Sequence, residues 1–295
     1  MTNKEEIKFY DPQIDIKKKL VDRKLQFIKN TNIPLPSEVE ISESGMCNRK
    51  CSFCPRSDPN FKDVKEFISE ELIFKVIQEL KELDYSGVIR FSGFVEPLLD
   101  KKIYNHINSF KKYLPNSRVE IVTNGDPLNI TRLKKLFKSG LDKILISAYD
   151  GKDDVIKFQN MIDVCKLNED QYIIRDRSLP EEENFGINLS NRAGMMENAE
   201  YKISSLKNPL NNPCYIPSYT FFFDYLGDVL MCPHDWGKKI ILGNLKKEKF
   251  LDIWFKDKSM KIRKNLFNKN RKFTPCNVCD VDGTFMGKTN AEYFK

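Results

Sequence analysis

The chain has 295 residues, 40% hydrophobic and 31% charged, enough to bury one large globular core and still leave a small appendage. No apolar run approaches a membrane span, and Met1 to Lys19 is charged and polar without a signal-peptide core, so a cytoplasmic protein with no membrane partner is expected. Eight cysteines in that reducing compartment point to metal ligands rather than disulfides, while the net charge of +7 admits an anionic partner.

Apolar residues at Ile16, Leu20, Leu25 and Ile28 predict an amphipathic lead-in helix over Ile14 to Ile28, an accessory within an N-terminal extension, residues 1–35. After Pro34 and Pro36, strand-like runs alternate with helical ones. The strand runs are Val39 to Ile41, Val88 to Phe91, Val119 to Val122, Lys143 to Ile146, Tyr172 to Ile174 and Ile187 to Leu189. The helical patterns between them include Ser69 to Leu83, Lys101 to Tyr113, Thr131 to Ser139 and Asp153 to Lys166. Such alternation calls for parallel pairing through right-handed crossovers, and six units make an α/β fold with a partial (β/α)6 TIM-like barrel, residues 36–205.

Past Met195, Pro209, Pro213 and Pro217 break the chain, and a small C-terminal domain, residues 206–295, is expected. It begins with a hairpin from Tyr219 to Met231 that turns near Leu226-Gly227-Asp228, and continues with a helix over Phe250 to Phe267. Basic residues crowd Lys246 to Lys272, among them Lys256, Lys258, Lys261, Arg263, Lys264, Arg271 and Lys272. The run lacks the interleaved aromatics of a base-stacking platform, so it reads as a solvated helix face and no nucleic-acid partner is expected.

The cysteines divide into three, four and one. The segment Cys47-Asn48-Arg49-Lys50-Cys51-Ser52-Phe53-Cys54 follows the first strand directly. Three thiolates can hold three irons of a 4Fe–4S cube and leave the fourth iron open, whereas zinc would want a fourth ligand and no further histidine or cysteine follows until His106. This spacing, with an aromatic before the last cysteine, resembles the signature of radical S-adenosylmethionine (SAM) enzymes, in which the open iron chelates the amino and carboxylate groups of SAM.

Catalytic groups of a parallel barrel collect at the carboxyl ends of its strands, and those ends here are polar and mostly glycine-bearing. They read Ser92-Gly93-Phe94-Val95-Glu96-Pro97, Thr123-Asn124-Gly125, Ser147-Ala148-Tyr149-Asp150-Gly151, Arg175 and Asn191-Arg192-Ala193-Gly194. The first is similar to the family's Gly-Gly-Glu segment, with Gly93 and Glu96 as cofactor contacts and Val95 standing where a glycine is usual. The resemblance further implies Asn124, Ser147 and Arg192 as contacts to the ribose or methionine carboxylate, although Thr123-Asn124-Gly125 alone is a plain turn.

Cys214, Cys232, Cys276 and Cys279 supply four thiolates, which in isolation suit a structural zinc as readily as an iron–sulfur cluster. With Gly227, Gly243-Asn244-Leu245, Asp280 and Gly283 around them, the layout resembles the SPASM extension of radical SAM enzymes in its shortened, one-cluster Twitch form. That implies a second 4Fe–4S cluster, saturated by cysteine and therefore passing electrons. Cys165 reads as an inert thiol in a helix, its sharper alternative being the hydrogen-atom donor of a radical epimerase.

The resemblance implies a 5′-deoxyadenosyl radical that takes a hydrogen atom from substrate. The expected outcome is dehydrogenation of a carbohydrate or aminocyclitol-like small molecule, the auxiliary cluster accepting an electron. Tyr149, Asp150, Arg175 and Arg192 are the catalytic candidates, with His234 and Asp235 nearby in sequence to the second cysteine set. Epimerisation, dehydration and peptide modification are the alternatives within the family. The stretch before the first strand is short for a leader-peptide domain, which favours the small molecule. An electron donor such as flavodoxin or ferredoxin is implied. The reading from a different class is a zinc-stabilised basic nucleic-acid-binding protein.

Overall fold

The computed structural model describes residue 11, residues 13–23 and residues 25–295; the first ten residues of the expected N-terminal extension, with Pro12 and Lys24, lie outside the described residues. In chain order, helix α1 (Gln13–Arg23) precedes strands β1 (Glu38–Ser42), β2 (Ser44–Gly45) and β3 (Val64–Phe67). Alternation then sets in: α2 (Glu70–Glu82), β4 (Val88–Phe91), α3 (Ile103–Tyr113), β5 (Arg118–Thr123), α4 (Ile130–Lys138), β6 (Lys143–Ala148), α5 (Lys152–Cys165) and β7 (Tyr172–Asp176). The remainder holds α6 (Ile216–Tyr219), β8 (Thr220–Asp224), β9 (Asp228–Leu230), β10 (Ile241–Asn244), α7 (Phe250–Phe255), α8 (Asp257–Phe267) and α9 (Lys288–Glu292).

The helices start where their caps demand. Ser69 Oγ accepts from Leu72 N at 3.2 Å to open α2, and Asn129 Oδ1 accepts from Arg132 N at 2.9 Å to open α4. Leu72, Ile73, Val76, Ile77 and Leu80 then form one buried stripe on α2 at helical spacing. In the strands, alternation separates two faces. Val39, Ile41, Ile89, Phe91, Val119, Ile121, Ile144 and Ile146 bury completely in the core, whereas Glu40, Arg90 and Glu120 are register partners on the opposite face. That inner face is charged yet satisfied: Arg90 donates to Glu38 at 2.5 Å and to Glu120 at 2.8 Å, and Lys17 of α1 donates to Glu38 at 3.0 Å.

The sheet order is β10-β9-β8-β1-β4-β5-β6-β7. Strands β1, β4, β5, β6 and β7 pair in parallel in chain order, as the partial barrel requires. The expected sixth strand at Ile187 to Leu189 does not form. Only ten residues separate β7 from Ile187, too few for a parallel crossover, and the amides of Ile187 and Leu189 bond locally to Asn184 and Ile187. The sixth parallel strand is instead β8, which pairs with β1 from Glu38↔Thr220 to Ser42↔Asp224, so the C-terminal hairpin continues the barrel sheet.

The lead-in helix stops at Arg23, short of Leu25, and Phe27 bridges to Pro34. The single helix expected over Phe250 to Phe267 is two, broken at Lys256, which is extended (φ −50°, ψ 138°). The basic run is also not a solvated face throughout. Arg263 is buried, donates to the carbonyls of Pro217 and Trp254, and is pulled down to about 9 by desolvation; Arg271 donates to the carbonyls of Asn212, Pro213 and Val281. Both spend donors on the backbone, those of Arg271 beside Cys214 and Cys279. Among the described residues no helix is long and apolar enough to cross a membrane.

Candidate functional site

The loop between β2 and β3 carries Cys47, Cys51 and Cys54 and is tied to the carboxyl ends of β4, β5 and β6. Glu96 N donates to Met46 O at 3.0 Å, and Arg56 forks onto the carbonyl of Phe94 at 2.9 and 2.6 Å while ion-pairing with Asp63. Arg49 clamps the tip, donating to Asp126 at 2.7 Å and to Asp150 at 2.9 and 2.6 Å. Its guanidinium also lies 5.3 Å from the ring centroid of Tyr149, on which Phe53 stacks. The three half-buried thiols line a cleft of about 310 Å³.

All five expected cofactor contacts open on the same cleft: Gly93, Glu96, Asn124, Ser147 and Arg192. Gly93 has φ +90°, and a Cβ there would stand 2.8 Å from the Phe222 ring, so the turn admits only glycine. Glu96 is almost fully buried and receives Thr123 Oγ1 at 2.6 Å, Asn124 N at 2.7 Å and Leu98 N at 2.9 Å. Burial outweighs these donors and pushes its carboxyl up to about 7. Asn124 Nδ2 donates to Asn48 Oδ1 at 2.8 Å and reaches Cys47 Sγ at 3.9 Å. Ser147 Oγ receives Arg175 Nη2 at 2.8 Å.

Of the catalytic candidates, Tyr149, Arg175 and Arg192 line the cleft. Desolvation holds Arg175 down at about 10 and Arg192 below its ordinary range, and each leaves a buried Nε without a partner. Asp150 is not among the residues that line the cleft: it is exposed, with its carboxylate paired to Arg49. Its strand-end position places it at the rim, as a clamp on the cysteine loop. Asp235 is likewise structural, accepting from the amides of Lys239 and Ile240 at 2.9 and 2.8 Å.

Cys214, Cys232, Cys276 and Cys279 line a second cavity together with Ala193 and His234. The backbone is shaped around them: Gly283 has φ +73°, and a Cβ on it would fall 2.4 Å from Cys214 Sγ. All eight cysteines are free. Burial pushes the Cys51 thiol to about 12 and that of Cys279 to about 11, neighbouring thiols adding to both, so bare thiolates are disfavoured and a cationic centre is what would hold them deprotonated. Among the described residues no three His, Cys, Asp or Glu side chains converge on a point that one ion could share.

One segment joins the two sites. Arg192 faces the first cleft and Ala193 the second cavity, and the wholly buried Asn191 donates to the carbonyls of Ser204 and Val278 at 3.0 and 2.7 Å while its own amide meets Asp280 at 2.9 Å. His234 opens on both the four-thiol cavity and a cavity that adjoins the cleft, its imidazole held down at about 3 by burial. Cys165 is elsewhere, at the end of α5 with Sγ 3.9 Å from Ile130 O. Sequence reasoning missed Gln13, at the start of α1, and Asp11 ahead of that helix, and the positioning roles of Arg49, Arg56 and Asn191.

The radical SAM superfamily model matches residues 41–169, and that of an iron–sulfur cluster-binding domain matches residues 214–280. The S-adenosyl-L-methionine-dependent 2-deoxy-scyllo-inosamine dehydrogenase of Niallia circulans is 30% identical over 83% of this chain and 92% of that protein. The crystal structure of BtrN in complex with AdoMet and 2-DOIA superimposes with a TM-score of 0.72 at 29% identity, covering 86% of this chain and 98% of that one. Native anSMEcpe with bound AdoMet shares the fold at 14% identity, with a TM-score of 0.58 over 87% of this chain and 95% of that one.

Proposed function

The chain belongs to the radical SAM superfamily, and from that premise we propose that it oxidises one secondary alcohol of an aminocyclitol to a ketone. Its cofactors are SAM and two iron–sulfur clusters. We assign the SAM-binding cluster to Cys47, Cys51 and Cys54 and the auxiliary cluster to Cys214, Cys232, Cys276 and Cys279. When bound, these groups supply a hydrogen-abstracting radical and an acceptor for the second electron. The observation that carries the reading is the pairing itself: an open three-thiol set on the cleft, with a closed four-thiol set one short segment away.

The chain's own residues complete the reaction. Glu96, Asn124 and Ser147 hold the cofactor end of the cleft, with Gly93 giving it room. Arg175 and Arg192 orient the substrate hydroxyls and stabilise the oxygen as its proton leaves, their positive charge undiluted by water in a buried site. Tyr149 and Phe53 wall the cleft against solvent. The oxidation removes two electrons and two protons' worth of hydrogen from the carbinol: one hydrogen atom, one electron and one proton. A domain division at 1–35, 36–205 and 206–295 accords with the bounds of the two family matches, a small flavodoxin or ferredoxin suits the need for a low-potential electron, and the cytoplasm suits eight free thiols.

Anaerobically reconstituted protein incubated with SAM, reductant and 2-deoxy-scyllo-inosamine should yield the ketone and 5′-deoxyadenosine in equal amounts. Return of a hydrogen atom to the ring with no oxidised product would overturn the assignment in favour of epimerisation.

A further inference from the structure

Buried polar side chains almost always find partners, because an unpaired one costs roughly 1–3 kcal/mol. Four side chains that break this rule here, Gln13, Arg175, Arg192 and His234, open on one cavity of about 320 Å³ that adjoins the three-thiol cleft. Arg175 and Arg192 belong to the site already described. Gln13 comes from the far end of the chain, is 94% buried by its 6% exposure, and has both its Oε1 and its Nε2 without a partner.

The position of Gln13 is not loose. Asp11 Oδ1 accepts from Gln13 N at 2.9 Å, and Asp11 Oδ2 accepts from Arg177 at 2.7 Å and lies 3.5 Å from Arg175. Burial pushes the Asp11 carboxyl up, but the two arginines outweigh it and hold the group below its ordinary range, ionised and anchored. One turn later, Lys17 pairs with Glu38 on the inner face of the sheet at 3.0 Å. Two ion-pair anchors therefore seat the first turn of α1 against the barrel, with the Gln13 amide left free to face the cavity.

We infer that the first turn of α1 is a wall of the substrate pocket and that Gln13 is a specificity-determining residue that reads a pair of neighbouring hydroxyls on the ring. The carboxamide offers one acceptor and two donors, and a ring hydroxyl is both donor and acceptor, so one amide satisfies two hydroxyls at once. A cavity of this size is within the range of small-molecule sites. The inference rests on the polyhydroxylated-ring reading proposed above and extends it to a segment expected only to be accessory.

The test compares wild type with Gln13→Leu and Gln13→Glu, each reconstituted with iron and loaded with SAM, by calorimetric titration of 2-deoxy-scyllo-inosamine. Gln13→Leu should bind the aminocyclitol about tenfold or more weakly and show the loss in KM more than in kcat, with iron content and SAM affinity unchanged. Because it removes two unpaired polar atoms, it should also melt higher than wild type without substrate, a gain no structural hydrogen-bonding residue would show. Gln13→Glu, which keeps an acceptor but loses the donors, should fall between. Equal affinity of wild type and Gln13→Leu would overturn the inference, as would a lower melting temperature in both variants with unchanged substrate binding. Wild type that binds the aminocyclitol but makes no ketone would overturn the reaction assigned above while the binding comparison still decides Gln13. Wild type that binds no aminocyclitol would overturn both.

Discussion

The two cysteine sets differ in every respect that matters to a cluster. Cys47, Cys51 and Cys54 are half-buried on a loop held at its tip by Arg49 and at its base by Arg56, and they face an open cleft with polar neighbours. Cys232, Cys276 and Cys279 are buried, Cys214 is pressed against Gly283, and Arg271 bonds the backbone just before Cys214 and just after Cys279. Under the assignment proposed above, three ligands on an accessible rim would leave a coordination position for chemistry and four in a closed wall would leave none, a division that fits a second cluster limited to electron transfer or structure.

Serine replacement separates the two most sharply. Cys47→Ser should abolish turnover while leaving a folded protein that retains about four irons of roughly eight, those of the buried set. Cys276→Ser should also lose about half the iron, but it should lower thermal stability as well, because that set is built into the C-terminal core. Iron analysis with a melting curve checks both. Equal melting temperatures for the two variants would break the distinction between an open reactive site and a closed structural one.

The link between the sites is the next largest effect. Asn191→Ala strands the carbonyl of Ser204, takes from that of Val278 one of its two donors, and removes the Oδ1 that accepts from Asp280 N beside Cys279, so denaturant unfolding should show a loss of about 2 kcal/mol, with the auxiliary iron lost before that of the first site. A variant as stable as wild type would mean that the two sites are joined through the shared sheet alone.

Glu96 sharpens the electrostatics of the open site. Its carboxyl stands at about 7, above the ordinary 4.5, chiefly through burial. A carboxyl raised in the folded state stays protonated there after the unfolded chain has ionised, so the cofactor-free fold loses stability as pH rises from about 4.5 through 7. An amino group of SAM is held best by the ionised form. SAM affinity should therefore rise by up to about tenfold between pH 6 and 7.5, and Glu96→Gln should flatten the profile. A slope that persists in Glu96→Gln would assign the titration to another group.

What could be read in advance follows the range of the forces involved. The strands from Val88 to Phe91 and Lys143 to Ile146 appeared where expected because alternation and caps are local signals, and the first cysteine set was visible because its spacing is local too; the second, spread from Cys214 to Cys279, has only the close pair Cys276 and Cys279 as a local trace. Ile187 to Leu189 misled because three apolar residues look like a strand wherever they sit, and only the short path from β7 forbids it. The insertion of β8 beside β1 joins residues about 180 positions apart, and Asp11 meets Arg177 across 166, so neither contact leaves a periodic trace. Gln13 is invisible for the same reason, since a lone glutamine at a helix start is ordinarily solvated. Asp150 was placed by strand-end position, which fixes a residue's layer in the barrel but not whether an arginine on the cysteine loop has claimed its carboxylate.

The smallest expected effect bears on the reaction outcome. An epimerase of this kind needs a thiol that can return a hydrogen atom to the substrate radical, and the eighth cysteine is the one not assigned to a cluster. Cys165 ends α5 on the outer, helical layer of the barrel, its Sγ beside the carbonyl of Ile130, and it is not among the residues that line the cleft. Burial raises its thiol above the ordinary range and so keeps the S–H in place, but a donor outside the cleft has no substrate radical to meet. Cys165→Ser should therefore leave ketone formation, SAM consumption and iron content as in wild type, with stability changed by no more than about 0.5 kcal/mol. Loss of turnover in this variant with both clusters intact would place a hydrogen donor in the mechanism and move the protein from the oxidising branch of the family to the epimerising one.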